Sequence, residues 1–513
     1  MRWIYLFLLV SVASTASSQQ NLIYENLPIG KYAVGFKIIT ITDDSRIDQP
    51  LYNYLGERNE GDRQKKITIH LWYPAKKNSG KRKLTYADYC INHQFLQTDE
   101  ITGKDQVEAT LATRRRSVET WFGPTTDTAW ERLTQSQMLA EMGARSLPEK
   151  FPLLIGMLRE LSTSITNEVL ASNGYVIAMI HSAGSSSFAE AALNDIPDMR
   201  FAISWLLKNE NINGDIGTFG FSGSGFSQVL FAMNDYQVKA LADIESGIYM
   251  DGLFQALSAS NYYNPAKLRV PFLHIFSHDL SQQEKYLDEF EKKTKFVKRY
   301  RLILNQPKLH HWDFAAEGFT SSIFLNNRGA AANAIRQSFE IASIYLLNFF
   351  NAELKSDGSS LQFISTKPTL KLFPSPLWDI TVYDAAARSP NSKEFEYLIS
   401  KKGINEALNI VNNTIKEDTT TDIMQGFVLN RLGYQFLQGH QYPEAIGVFT
   451  LNTELHPDDP NLFDSLSEGY EQSGDKENMK KYASAVMDIL NKKTSLTDSE
   501  KGLKENSERR LKL

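Results

Sequence analysis

The chain has 513 residues, 42% of them apolar and 22% charged, with 55 Lys and Arg set against 60 Asp and Glu for a formal net charge of −5. This length leaves room for two domains, and the near-balanced charge excludes a large nucleic-acid footprint, which needs a basic excess. A single cysteine, Cys90, excludes an intramolecular disulfide and argues against a Cys-based metal site.

Residues 1–18 read as a signal peptide. Arg2 gives a positive start, Ile4 to Val12 forms a short apolar stretch, and Ala13, Ala16 and Ser18 offer small residues for cleavage. The stretch is too short to span a bilayer, and no later segment is apolar enough to cross one. The expectation is an exported protein, periplasmic or secreted, whose mature chain begins near Gln19 or Gln20.

The first strand is expected over residues 30–41 and the second over residues 67–73, where apolar and polar residues alternate. The charged segment between them, with Asp43, Asp44 and the run from Glu57 to Lys66, reads as a solvated turn. Residues 95–149 read as polar and irregular, with Arg114, Arg115 and Arg116 on a solvated helix face. From Phe151 the pattern changes to short continuous apolar runs: Phe151 to Ile155, Tyr175 to Ile180, Ile216 to Phe219, Val238 to Ile244, Pro271 to Phe276 and Lys298 to Leu304. Helical stretches separate several of these runs, at Ile165 to Ser172 and Met199 to Lys208. Such alternation predicts a mostly parallel sheet covered on both faces, closed by a helix from Ala330 to Phe350.

Residues 354–392, with Pro368, Pro374, Pro376 and Pro390, read as a connector. Residues 393–491 read as an all-α domain, and residues 492–513 as a charged tail that frays. Within the helical part, Leu429, Leu432, Gly433, Phe436, Ala445, Phe449 and Pro457 fit tetratricopeptide spacing. Phe463, Leu466, Ser467 and Tyr470 repeat the first helix 34 residues later. Such a surface implies a protein partner.

The strongest catalytic signal is Gly220-Phe221-Ser222-Gly223-Ser224-Gly225, between an apolar strand and a helical stretch. A serine on a strained strand-to-helix turn needs small neighbours two residues before and after it, and Gly220 and Ser224 provide them. Ser222 is thus the candidate nucleophile, with the Gly223 N–H as a candidate oxyanion donor. A base is expected after the last strand, where His310 and His311 stand side by side. The acid that orients it is expected at a strand end, either Glu245 or Asp279, since both keep the chain order Ser, acid, His. Asp243 lies inside the strand pattern and is disfavoured.

These blocks resemble the platelet-activating-factor acetylhydrolase family and, more loosely, dienelactone-hydrolase-like esterases. The resemblance rests on Gly30-Lys31-Tyr32-Ala33-Val34-Gly35, His70-Leu71-Trp72-Tyr73-Pro74, Lys150-Phe151-Pro152-Leu153, Leu170-Ala171-Ser172-Asn173-Gly174-Tyr175-Val176, the elbow, and His311 followed by Phe314. It implies an α/β-hydrolase fold over about residues 26–352 and a serine esterase acting on a small ester without cofactor or metal. It favours His311 over His310 and Glu245 over Asp279. The family's His-Gly turn after the third strand is replaced here by Ile155-Gly156-Met157-Leu158-Arg159-Glu160-Leu161, so Leu158 is the expected second oxyanion donor. That departure and Ser224 support an alternative, a catalytically weak or inactive hydrolase fold that serves, with its repeats, as an interaction scaffold.

Overall fold

The computed structural model describes residues 22–47, 58, 64–77, 79–94, 103–157, 161–181, 188–246, 248, 252–278, 284–306, 309–325, 329, 331–368, 370, 373, 377–419 and 421–513. The expected signal peptide lies outside them. The chain divides into two units, Met1–Ala385 and Ala386–Leu513.

Among the described residues, the first unit is built on an eleven-stranded sheet in the order β11-β10-β9-β8-β7-β5-β6-β2-β1-β4-β3. The strands are β1 (Ala33–Ile47), β2 (Gln64–Ala75), β3 (Lys83–Thr85), β4 (Gln137–Met142), β5 (Phe151–Met157), β6 (Val176–His181), β7 (Ile212–Phe221), β8 (Val238–Ile244), β9 (Phe272–Ser277), β10 (Arg299–Leu304) and β11 (Trp378–Tyr383). The six strands from β10 to β6 run parallel, and β2 and β11 flank them antiparallel.

The apolar runs are continuous because both faces of the sheet are covered. In β5, Leu154 enters one core while Leu153 and Ile155 enter the other; in β6, Ile177 and Met179 part in the same way from Val176, Ala178 and Ile180. Helices α1 (Tyr86–Gln94), α2 (Lys104–Phe122), α3 (Asp127–Thr134) and α4 (Ser164–Ser172) contribute to the first core. Helices α5 (Phe188–Asn209), α6 (Gly223–Asn234), α7 (Leu253–Ala259) and α8 (Glu284–Lys293) contribute to the second, and α9 (Ala316–Phe324), α10 (Ala331–Lys355) and α11 (Gly358–Ser365) return to the first. The mostly parallel, doubly covered sheet is the architecture that the sequence pattern predicts.

Four local expectations are corrected. Residues 95–149 are not irregular where described: they hold α2, α3 and β4, and β4 adds to the sheet beside β1. Arg114 does not sit on a solvated face, because its guanidinium pairs with the buried carboxylate of Glu317 on α9. The charged segment after β1 is only partly a solvated turn. Asp43 and Lys65 are buried, and Arg46 bridges Asp43 to the fully buried Asp198 on α5. Lastly, the connector expected over 354–392 contains α11 and the edge strand β11. Trp378 is buried and donates its indole N–H to Tyr345 Oη at 2.9 Å. The prolines before it mask a short alternating strand that only pairing with β10 reveals.

The second unit is all-α. It comprises α12 (Ser392–Lys402), α13 (Ile404–Thr414), α14 (Gly426–Gln438), α15 (Tyr442–Leu455), α16 (Pro460–Ser473), α17 (Lys476–Leu490) and α18 (Asp498–Lys512). Its core includes Phe395, Ala407, Val411, Leu429, Leu432, Ala445, Phe449 and Leu466. Gly433 is small because a Cβ there would lie 2.4 Å from the Phe449 ring. The expected fraying tail is also corrected. Residues 498–512 form α18, and Arg510 is buried, donating to Asp464 at 2.5 Å and to Glu471 at 2.8 Å. A charged sequence looks like a tail until its partners, here on α16, are known.

Candidate active site

Ser222 sits between β7 and α6 with φ 55° and ψ −134°, a backbone conformation costly for a residue with a Cβ. Two hydrogen bonds hold it there: its own N–H donates to Ile244 O at 3.0 Å, and the Gly225 N–H donates to Ser222 O at 2.9 Å. Gly220 leaves room for the turn, since a Cβ at that position would lie 2.7 Å from Gly225 N. Ser224 fits because its hydroxyl bonds back to Phe221, accepting from the N–H at 2.9 Å and donating to the carbonyl at 2.6 Å. The closest approach falls one residue later, where a Cβ on Gly225 would lie 2.5 Å from Ser246 Cβ. The run Gly-Ser-Gly after the nucleophile thus divides two steric demands between two small residues.

Glu245 follows β8, the strand next to β7, and is 4% exposed with φ 49°. One carboxylate oxygen accepts the Ser277 N–H from the end of β9. The other lies 3.4 Å from His311 Nδ1. His311 opens a short 3-10 turn, His311–Phe314, after β10. Asp313 fixes that turn by accepting the His310 N–H at 2.8 Å, and Gly318 lets α9 approach it, since a Cβ there would lie 2.2 Å from Trp312 O. His311 Nε2 lies 2.7 Å from Ser222 Oγ. With the ring proton on Nδ1, the Ser222 hydroxyl donates to Nε2 and Nδ1–H donates to Glu245. The second contact is the longer of the two.

The structure therefore brings Ser222, His311 and Glu245 together on the C-terminal side of the parallel strands. His310 is exposed and serves as the cap of the turn. The Gly223 N–H starts α6 and has no acceptor among the described residues, which leaves it available to an oxyanion. Asp279 and Leu158 lie outside the described residues. Asp243 pairs instead with the fully buried His274 at 3.2 Å. Cys90 is buried, and burial pushes its thiol up to about 12, which suits a packing residue and not a nucleophile. Among the described residues no group of three or more His, Cys, Asp and Glu side chains is placed to hold a metal ion.

Two contributions were not read from the sequence. Phe221, the residue before the nucleophile, stacks on the His311 ring with centroids 4.8 Å apart and planes 22° apart, fixing the imidazole plane. The backbone of Ser277 anchors Glu245. An aromatic residue inside the elbow motif is a signal for the first; the second arises only from strand register.

A family model described as X-Pro dipeptidyl-peptidase (S15 family) matches residues 67–289, from β2 into α8. A solved structure, a ferulic acid esterase from Streptomyces cinnamoneus, is similar with a TM-score of 0.47 and 17% identity, covering 69% of this chain and 98% of that one. No curated protein matches. The sheet order, the covered faces and the elbow make the first unit an α/β-hydrolase-type fold.

Proposed function

We propose that the protein is an exported serine hydrolase that cleaves carboxylic esters through an acyl-enzyme. The observation that carries this reading is the 2.7 Å contact between His311 Nε2 and a Ser222 hydroxyl held on a strained elbow. His311 takes the hydroxyl proton as Ser222 Oγ attacks the ester carbonyl. The imidazolium, oriented by Glu245, then protonates the departing alkoxide, and an acyl-Ser222 ester remains. Water activated by the same imidazole hydrolyses that ester and restores the serine. The oxyanion accepts the Gly223 N–H, and Leu158 is the proposed second donor; each such donor contributes roughly 10²–10³ in turnover. No step in this sequence calls on a cofactor or metal. The likeness to acetylhydrolases read from the sequence blocks supports an ester with a small acyl group, and the repeat-like second unit supports a protein partner there.

A second reading, a peptidase, is favoured by the S15 match over residues 67–289. Side-by-side assays of p-nitrophenyl acetate and an Ala-Pro-p-nitroanilide separate the two. The ester reading expects a burst of nitrophenol followed by steady turnover, and little release from the anilide. Efficient cleavage of the anilide with slow ester turnover would overturn it in favour of the peptidase. Failure to cleave either would leave the scaffold alternative.

A further inference from the structure

From the imidazole of His311 a run of aromatic rings leads to the surface. Trp312 meets His311 edge-on, with centroids 5.6 Å apart and planes 72° apart, and lies 5.9 Å from the buried Phe221. Trp121 follows, 5.5 Å from Trp312 and tilted 46° to it. Trp121 comes from the last turn of α2, and its neighbours on that helix, Val118 and Phe122, are buried in the first core. The helix is thus anchored, yet Trp121 is 60% exposed. A lone surface apolar residue needs no explanation. This one differs because it extends a ring system that begins at the proposed general acid–base.

We infer that Trp121 and Trp312 form a shelf that binds an aromatic ring in the alcohol half of the ester. The inference rests on the esterase reading above. The side follows from the chemistry: His311 Nε2 must reach the leaving oxygen to protonate it. A group carried on that oxygen therefore lies against the imidazole and continues along the rings beyond it. An aromatic group fits better than an alkyl chain because two tilted indoles offer a π-face and an edge, the arrangement in which aromatic pairs gain beyond area burial. Trp121 and Trp312 are specificity residues here, with no part in bond making.

Acetate esters test this cleanly, because every one passes through the same acetyl-Ser222 and differs only in the departing alcohol. The probes are 2-phenylethyl acetate, octyl acetate, which has the same number of alcohol carbons, and ethyl acetate as reference. Wild-type protein is expected to prefer the phenylethyl ester in kcat/KM. Trp121→Ala and Trp121→Leu are expected to lower the phenylethyl-to-ethyl ratio about ten-fold, mainly through KM, and Trp121→Phe to recover most of it. Matching melting temperatures exclude a folding defect. Turnover of the acetates with a ratio unchanged in Trp121→Ala overturns the shelf and leaves the esterase reading standing. An octyl-to-ethyl ratio that falls as far as the phenylethyl ratio in Trp121→Leu overturns its aromatic character. No acetate hydrolysed at all overturns both.

Discussion

Both residues that face His311 hold strained backbone conformations. Among the described residues, the non-glycine residues at positive φ are Ser222, Glu245, Ser356 and His440. Two of these belong to the proposed triad, and each such conformation costs of order 1–3 kcal/mol. At Ser222 the strain lifts Oγ clear of the sheet; at Glu245 it turns the carboxylate from the strand line toward the imidazole while Ser277 holds its other oxygen. Replacing Glu245 by Gln removes the charge that stabilises the imidazolium and permits the wrong tautomer. We expect kcat to fall by about 10³–10⁴ with the fold kept, as single-turnover kinetics and a thermal melt can check. Near-normal kcat in Glu245→Gln would shift the acid elsewhere, to Asp279 first. At this scale the sequence was legible where chemistry imposes spacing: Ser222 from its small neighbours, the His310–His311 pair from its place after β10, and Glu245 or Asp279 from their strand ends, while the choice of His311 and Glu245 came from the family resemblance. It was silent on Phe221 and Ser277, whose roles depend on which strands become neighbours.

Elements were legible in proportion to their regularity. The runs that became β5 to β10 are buried on both faces, so their apolar content alone marks them, and β8 falls on the predicted Val238–Ile244. The peripheral strands carry weaker marks. In β4 only Met138 and Ala140 are buried, and β11 is an edge strand behind prolines. Both took their identity from a partner strand distant in sequence. A chain ending at Ser365 lacks β11, bares the edge of β10 and exposes the space filled by Trp378. It should aggregate or melt at clearly lower temperature. A chain ending at Ala385 keeps the whole sheet and should retain hydrolysis of a small ester within several-fold. Loss of activity from that longer chain while folded would make the second unit part of the catalytic apparatus.

The whole molecule pairs an α/β-hydrolase-type unit with an all-α unit, each with its own core. The division was visible in the shift from apolar runs to helical stripes, whereas the ordered α18 was hidden by its charge. Its attachment includes ion pairs from Arg509 and Arg510 to α16, so it should respond to pH. Arg509, then Arg510, hold the Glu471 carboxyl at about 2, below its ordinary 4.5. A carboxyl depressed in the folded state stabilises fully above its unfolded value and loses that contribution as pH falls toward the folded one. Amide protection in residues 498–512, taken relative to the intrinsic exchange rate at each pH, should therefore fall between about pH 4.5 and pH 2. In Glu471→Gln the exchange should be faster at neutral pH and should not respond to acid through this group. Exchange in Glu471→Gln matching wild type across that range would contradict the docking account. The central claim, a serine nucleophile served by His311, is tested most directly by reacting the intact protein with a fluorophosphonate probe and mapping the adduct by mass spectrometry. The account predicts one adduct, on Ser222, absent from Ser222→Ala and slowed by orders of magnitude in His311→Ala. An adduct on Ser224, labelling that survives Ser222→Ala, or no labelling of folded wild-type protein would contradict it.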